Sequence, residues 1–197
     1  MIREVISMKE SWRKDSSKWL FGVALIVFLL FLVLVLPAES AKSAIATGSN
    51  ASPDLNFGYS PATLLDIAES YGEAGRAYYI ASRLSFDIVW PLAYLFFLLA
   101  AANLLFSKPL GNRARTIAFA LSGAAFLFDL LENQLVSHVM RIHPLASDLL
   151  LWSAGAATSL KWLTLTAAFL LLMAGLLNKI VLKRKAQTDG QADPKSL

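Results

Sequence analysis

The run WLFGVALIVFLLFLVLVL, Trp19 to Leu36, holds eighteen residues without one charge. As a helix it is about 27 Å long, close to the thickness of a bilayer's hydrocarbon core. A segment of that kind predicts a membrane-spanning helix and decides the solvent in which the chain folds. The neighbouring PAESAKSA offers Ala38 and Ser40 at the spacing of a signal-peptide cleavage site. Signal-peptide apolar regions run to about 7–15 residues, however, so the longer run here predicts an uncleaved anchor.

Three further apolar runs follow, at about 84–106, 116–138 and 149–177. Hydrophobic residues make up 56% of the 197 and charged residues only 16%, against about 25% in soluble domains. The expected fold class is therefore an all-α membrane protein, a bundle of four transmembrane helices. It divides into a basic N-terminal segment over 1–18, a membrane domain over 19–177, and a basic, disordered tail over 178–197. Membrane lipids are its first expected partner, with a homo-oligomer or a larger membrane complex as a further one.

The net charge of +4 might suggest nucleic acid. Most of the Lys and Arg residues flank apolar runs, so topological anchoring accounts for them and no nucleic-acid partner is expected. Arg3, Lys9, Arg13, Lys14 and Lys18 precede the first run, and Lys108, Arg113 and Arg115 lie between the second and third. Lys179, Lys183, Arg184 and Lys185 follow the fourth. The other two connections are mixed or acidic. By the positive-inside rule both termini are cytoplasmic, in a multi-pass protein of the bacterial inner membrane.

Cysteine is absent, which removes disulfides, thiolate metal sites and a cysteine nucleophile. His138 and His143 are five apart and form no helical pair, so no metal site is expected. No Gly-rich phosphate loop, GxSxG or HExxH occurs, and no cofactor is called for.

Residues 38–59 read as a loop, rich in Ser, Ala, Asn, Gly and Pro. Ser60 as N-cap and Pro61 at the first helical position then open an extracytoplasmic amphipathic helix over about 60–83. Asp66, Glu69, Glu73 and Arg76 fall on one side, and Leu64, Ile67, Ala68, Tyr71, Ala74, Gly75 and Tyr78 on the other. Tyr71, Tyr78 and Tyr79 suit the interface, with their hydroxyls wet. Gly72 and Gly75 each weaken a helix by about 1 kcal/mol relative to Ala, which predicts a hinge or a close packing there.

Asp87, Asp129, Glu132 and Lys161 lie within or at the edge of the spans. Each costs several kcal/mol if exposed to lipid, so each should face the bundle. Counted along the helices, Asp129 and Glu132 sit about 20 and 24 Å from the cytoplasmic end, and Lys161 about 24 Å. Asp129, Glu132 and Asn133 share a face with Ser122 and Ala125, while Ala154, Ala157, Thr158 and Leu165 share the Lys161 face. Lys161 is expected to meet Asp129, Glu132 or both across the third and fourth spans. Arg83 and Asp87 form an i,i+4 pair, on a stripe with Trp90 and Tyr94. These eight residues — Arg83, Asp87, Trp90, Tyr94, Asp129, Glu132, Asn133 and Lys161 — predict a polar pocket in the outer half of the bundle, roofed by the amphipathic helix and Trp90.

The stretches YGEAGRAYYI, FDIVWPLAYLFFL, DLLEN and LKW contain every one of these charges. Through them the chain resembles a group of uncharacterised bacterial four-span inner-membrane proteins, which implies the architecture and the candidate site without an activity. In general plan it is also similar to the four-helix family of the emopamil-binding sterol isomerase, sharing four spans, intramembrane acids and the aromatics Trp90, Tyr94 and Trp162. The sequence motifs of that family do not align.

The functional expectation is a buried charged site that binds a small amphiphilic or cationic ligand from the outer leaflet. The alternatives are a scaffold or complex subunit whose ion pairs are purely structural, and an intramembrane enzyme using the carboxylates.

Overall fold

Four helices are long and apolar enough to cross a membrane, and among the described residues there is no strand. The protein is an all-α, multi-pass membrane bundle. The computed structural model describes residues 2–106 and 112–191, without the side chains of 2–15, 55, 186 and 188–191. The basic side chains of Arg3, Lys9, Arg13 and Lys14, the whole of Lys108 and the tail beyond 191 lie outside the described residues.

The elements are α1 (Ile2–Leu30), a π-helical turn (Phe31–Val35), α2 (Leu36–Thr47), a 3-10 turn (Pro53–Leu55), α3 (Pro61–Ser70), α4 (Gly72–Arg83), α5 (Phe86–Leu105), α6 (Asn112–Ile142) and α7 (Asp148–Gln191). The break between α6 and α7 falls around Pro144, where the sequence predicts it.

Three boundaries differ from the sequence expectation. The first helical column does not end at Pro37. The π turn shifts the hydrogen-bond register just ahead of it, and Pro37 then falls in the first turn of α2, where a missing N–H does little harm. Residues 38–47, expected in a loop, are helical, and the column ends at Gly48, whose φ is 65°.

The helix expected over 60–83 is two helices. Ser60 caps the first as predicted, its hydroxyl accepting from the Thr63 N–H at 3.2 Å. The break comes at Gly72, with φ at 60°, a conformation that costs most side chains dearly. The break also changes the rotational phase. Leu64, Ile67 and Ala68 are buried as expected, but beyond Gly72 it is Gly75, Tyr79 and Arg83 that turn inward, while Ala74 is exposed. Tyr79 is therefore buried rather than wet. Gly75 realises the close packing, since a Cβ there would lie 3.0 Å from Thr47 Cα.

Finally, α7 continues to Gln191, although disorder is expected from residue 178. Nothing between Leu177 and Gly190 breaks a helix. At 44 residues it is about 66 Å long.

Two apolar cores stack along the bundle axis. One joins Leu64, Ile67, Tyr71 and Tyr79 to Val136, Val139 and Met140 of α6 and to Leu151 and Ala154 of α7. The other joins Tyr94, Leu98, Ala101 and Ala102 of α5 to Ala118, Ala125, Ala168 and Leu172. Its alanines let the backbones approach closely, as in membrane helix packing generally. The first helix attaches mainly along α5, through a ladder of rings in which Phe28 stacks on Phe97 at 4.5 Å and on Trp90 at 5.7 Å.

Beside the second core the exposed surface is apolar: Val33 and Leu34 of the first column, Val89 and Leu92 of α5, Leu127 and Leu131 of α6, Leu163 and Leu170 of α7. Beside the first core α6 instead exposes Gln134, His138 and Arg141. The buried charged residues Arg83, Asp129, Glu132 and Lys161 lie between the two cores, at the level of that change.

Candidate functional site

Arg83 closes α4, and the chain turns through Leu84 and Ser85 before α5 starts. That turn aims the guanidinium into the bundle, where only 8% of the residue stays exposed. It pairs with Asp87 at 3.0 Å, the expected i,i+4 pair, and with Asp54 of the 3-10 turn. It also donates to Asn133 Oδ1 at 3.4 Å and lies over the Tyr79 ring at 4.2 Å.

Pro91 explains why Asn133 is needed. A proline cannot donate to the carbonyl four residues earlier, so the Asp87 C=O loses its helical partner. Asn133 Nδ2 donates to that carbonyl at 3.1 Å. The other half of the amide takes the Arg83 proton, so one side chain of α6 satisfies both a helix defect and a buried cation.

The second cation, Lys161, comes from α7, and 5% of it is exposed. It pairs with Glu132 and approaches Asp129 Oδ1 at 3.8 Å, so both acids expected of the third span meet it. The remaining carboxylate oxygens are held as well. Tyr94 donates to Asp129 Oδ2 at 3.0 Å, and Thr158 donates to Glu132 Oε1 at 2.7 Å. Tyr59 adds its hydroxyl 3.1 Å from Thr158.

All eight sequence-predicted residues thus fall in one layer. Asn133, beside Glu132 in sequence, joins its two halves. Trp90 packs edge-on against Tyr94 at 5.7 Å. Four residues of the layer were not among the eight: Asp54, Tyr59, Tyr79 and Thr158. Thr158 stood on the Lys161 face already. Asp54 and Tyr59 arrive from the loop, to which no helical period applies.

That loop is seated by close contacts. A Cβ on Gly155 would lie 2.7 Å from the Tyr59 carbonyl oxygen, and one on Gly58 would lie 2.7 Å from Ser159 Oγ. The small face of Gly155 and Ser159 therefore receives loop backbone, while the Ala154 and Thr158 face meets α6. Tyr71 fastens the loop's start by donating to the Ala51 carbonyl at 2.6 Å. Burial would raise the Asp54 carboxyl pKa, but the Arg83 and Lys161 charges outweigh it and hold the group below its ordinary value. Burial pushes the Tyr59 hydroxyl up, so it stays protonated.

A half-open cleft of about 270 Å³ reaches this layer. Its walls are α2, the loop from Ser49 to Asp54, the end of α4, the start of α5 and part of α7. The roof is therefore α2 with the loop, and α4 reaches it only through Tyr78, Ser82 and Arg83. The expectation of a roof over 60–83 fails because the first helical column runs past Pro37 and occupies that place. Glu39, Asp54, Asp87 and Asp129 line the cleft against Arg83 and Lys161. Among the described residues no group of three His, Cys, Asp or Glu side chains could hold a metal ion.

No protein family, curated protein or solved structure matches the chain.

Proposed function

We propose that the protein binds a small amphiphilic or cationic ligand, its positive group seated in this cleft, taken up from the outer leaflet of the bacterial inner membrane. One observation carries the reading: four carboxylates, Asp54, Asp87, Asp129 and Glu132, share two cations, Arg83 and Lys161, while Glu39 at the cleft pairs with Lys42. A buried excess of negative charge favours a positive occupant. The rest of the wall combines Phe86, Trp90, Trp162 and Leu165 with serines and Asn50, the mixture of apolar surface and polar groups found in ligand sites. The volume suits a headgroup rather than a whole lipid. The positive-inside rule assigns both termini to the cytoplasm and hence the cleft to the outer side. Helices α3 and α4 together then serve as the amphipathic cover on that side, presenting Asp66, Glu69 and Glu73 to water.

The test is titration of the detergent-purified protein with dodecylammonium, read by tryptophan fluorescence. Dodecyl sulfate and dodecyl maltoside are the controls. Saturable quenching by the amine alone is expected, weakened about tenfold in Asp129→Asn, the loss of one hydrogen bond to a charged group. Absence of saturable binding in the wild type would leave the charges a structural role, as in a scaffold subunit.

A further inference from the structure

Three buried polar atoms of cleft-lining residues have no hydrogen-bond partner within the protein: Asp54 Oδ1, Arg83 Nε and Trp162 Nε1. One is an acceptor and two are donors. Buried polar groups are almost always paired, so such a set describes its missing partner. The partner must donate one N–H or O–H and accept two.

The cleft lining combines apolar Leu36, Trp90 and Leu165 with polar Glu39, Ser43 and Asn50. It opens at the level where the exposed face of α6 passes from apolar Leu127 and Leu131 to Gln134 and His138, the change that marks lipid headgroups.

We infer that the cleft receives the headgroup of a bilayer lipid that carries a primary ammonium and a phosphate together. The ammonium donates to Asp54 Oδ1 among the surplus carboxylates, and the phosphate oxygens accept from Arg83 Nε and Trp162 Nε1. The acyl chains leave past Trp90 and Leu165 along the apolar surface. A quaternary ammonium has no N–H for Asp54 and relies on aromatic faces instead. A headgroup with phosphate alone brings negative charge to a site already rich in it. This assignment rests on the cleft being a ligand site and narrows the ligand to one headgroup class.

Native mass spectrometry of the delipidated protein tests it, with ethanolamine, choline and glycerol phospholipids of identical chains offered together. Free phosphoethanolamine is offered separately. The ethanolamine lipid should be retained about tenfold over the choline lipid, the value of one charged hydrogen bond. Trp162→Phe keeps the ring but removes the donor, and should lower ethanolamine-lipid retention about tenfold. Asp54→Asn should bring the ethanolamine and choline lipids close to equal. Equal retention in the wild type, preference for the glycerol lipid, or indifference to both substitutions overturns the assignment, as does free phosphoethanolamine binding as well as the lipid. Dodecylammonium binding that persists beside any of these results would leave the cation site intact and remove only the headgroup.

Discussion

Asn133 answers two groups with one uncharged side chain. It completes the Asp87 carbonyl that Pro91 leaves without a helical partner, and it accepts from Arg83. That role follows from a proline standing four residues after an aspartate, a spacing plain in the sequence, though not which side chain would answer it. Lys161 was legible for a simpler reason. A cation inside an apolar helix needs an anion at its own depth, and rise per residue measures depth well. The same reasoning fixes what its removal does. Lys161→Met leaves Glu132 and Asp129 buried without a countercharge and should destabilise the protein by about 3–5 kcal/mol. Adding Glu132→Gln should recover part of that loss. Thermal unfolding in detergent, followed by circular dichroism, checks both.

At the scale of elements, the sequence speaks clearly where one period holds and poorly where it changes. The four columns and the helix break at Pro144 are set by apolar length and a breaker residue. The π turn before Pro37 is not, because a proline after an apolar run reads as an end unless the register shift ahead of it is known. Composition foreshadows the Gly72 break but not its effect on phase, which buries the Tyr79 hydroxyl that the interface reading expects to be wet. The loop from Ser49 to Tyr59 is the element that most affects the site, and its attachment depends on ionisation. Asp54 titrates below an ordinary carboxyl in the folded protein, so its contribution is present in full above the unfolded value, about 4, and is lost as pH falls through the folded one. Hydrogen exchange in the loop, measured against the intrinsic rate at each pH, should therefore accelerate toward acid pH. In Asp54→Asn it should already be fast at neutral pH, with the acid-dependent step reduced.

At the scale of the molecule, the two stacked cores put the charges at a boundary rather than deep within an apolar slab. Helical depth alone sets Lys161 about 18 Å below Leu149, yet α6 already exposes polar residues from Gln134 onward. The count along one helix leaves out α3 and α4, which build the first core with α6 and α7, and α2, which packs on α4, so the hydrocarbon boundary has to be mapped on the surface. The chain has no cysteine, so single cysteines can map this directly. A membrane-impermeant maleimide added to intact cells should label Gln134→Cys and His138→Cys, and leave Leu127→Cys and Leu170→Cys unmodified. Labelling of all four positions, or of none, would displace the boundary.

Of the carboxylates around Arg83, one is supplied by a segment that is not part of any spanning helix. A visitor that lifts this segment also strips the guanidinium of a countercharge, so admission and electrostatic balance are set by the same few residues. Anything that displaced the segment would have to replace that countercharge.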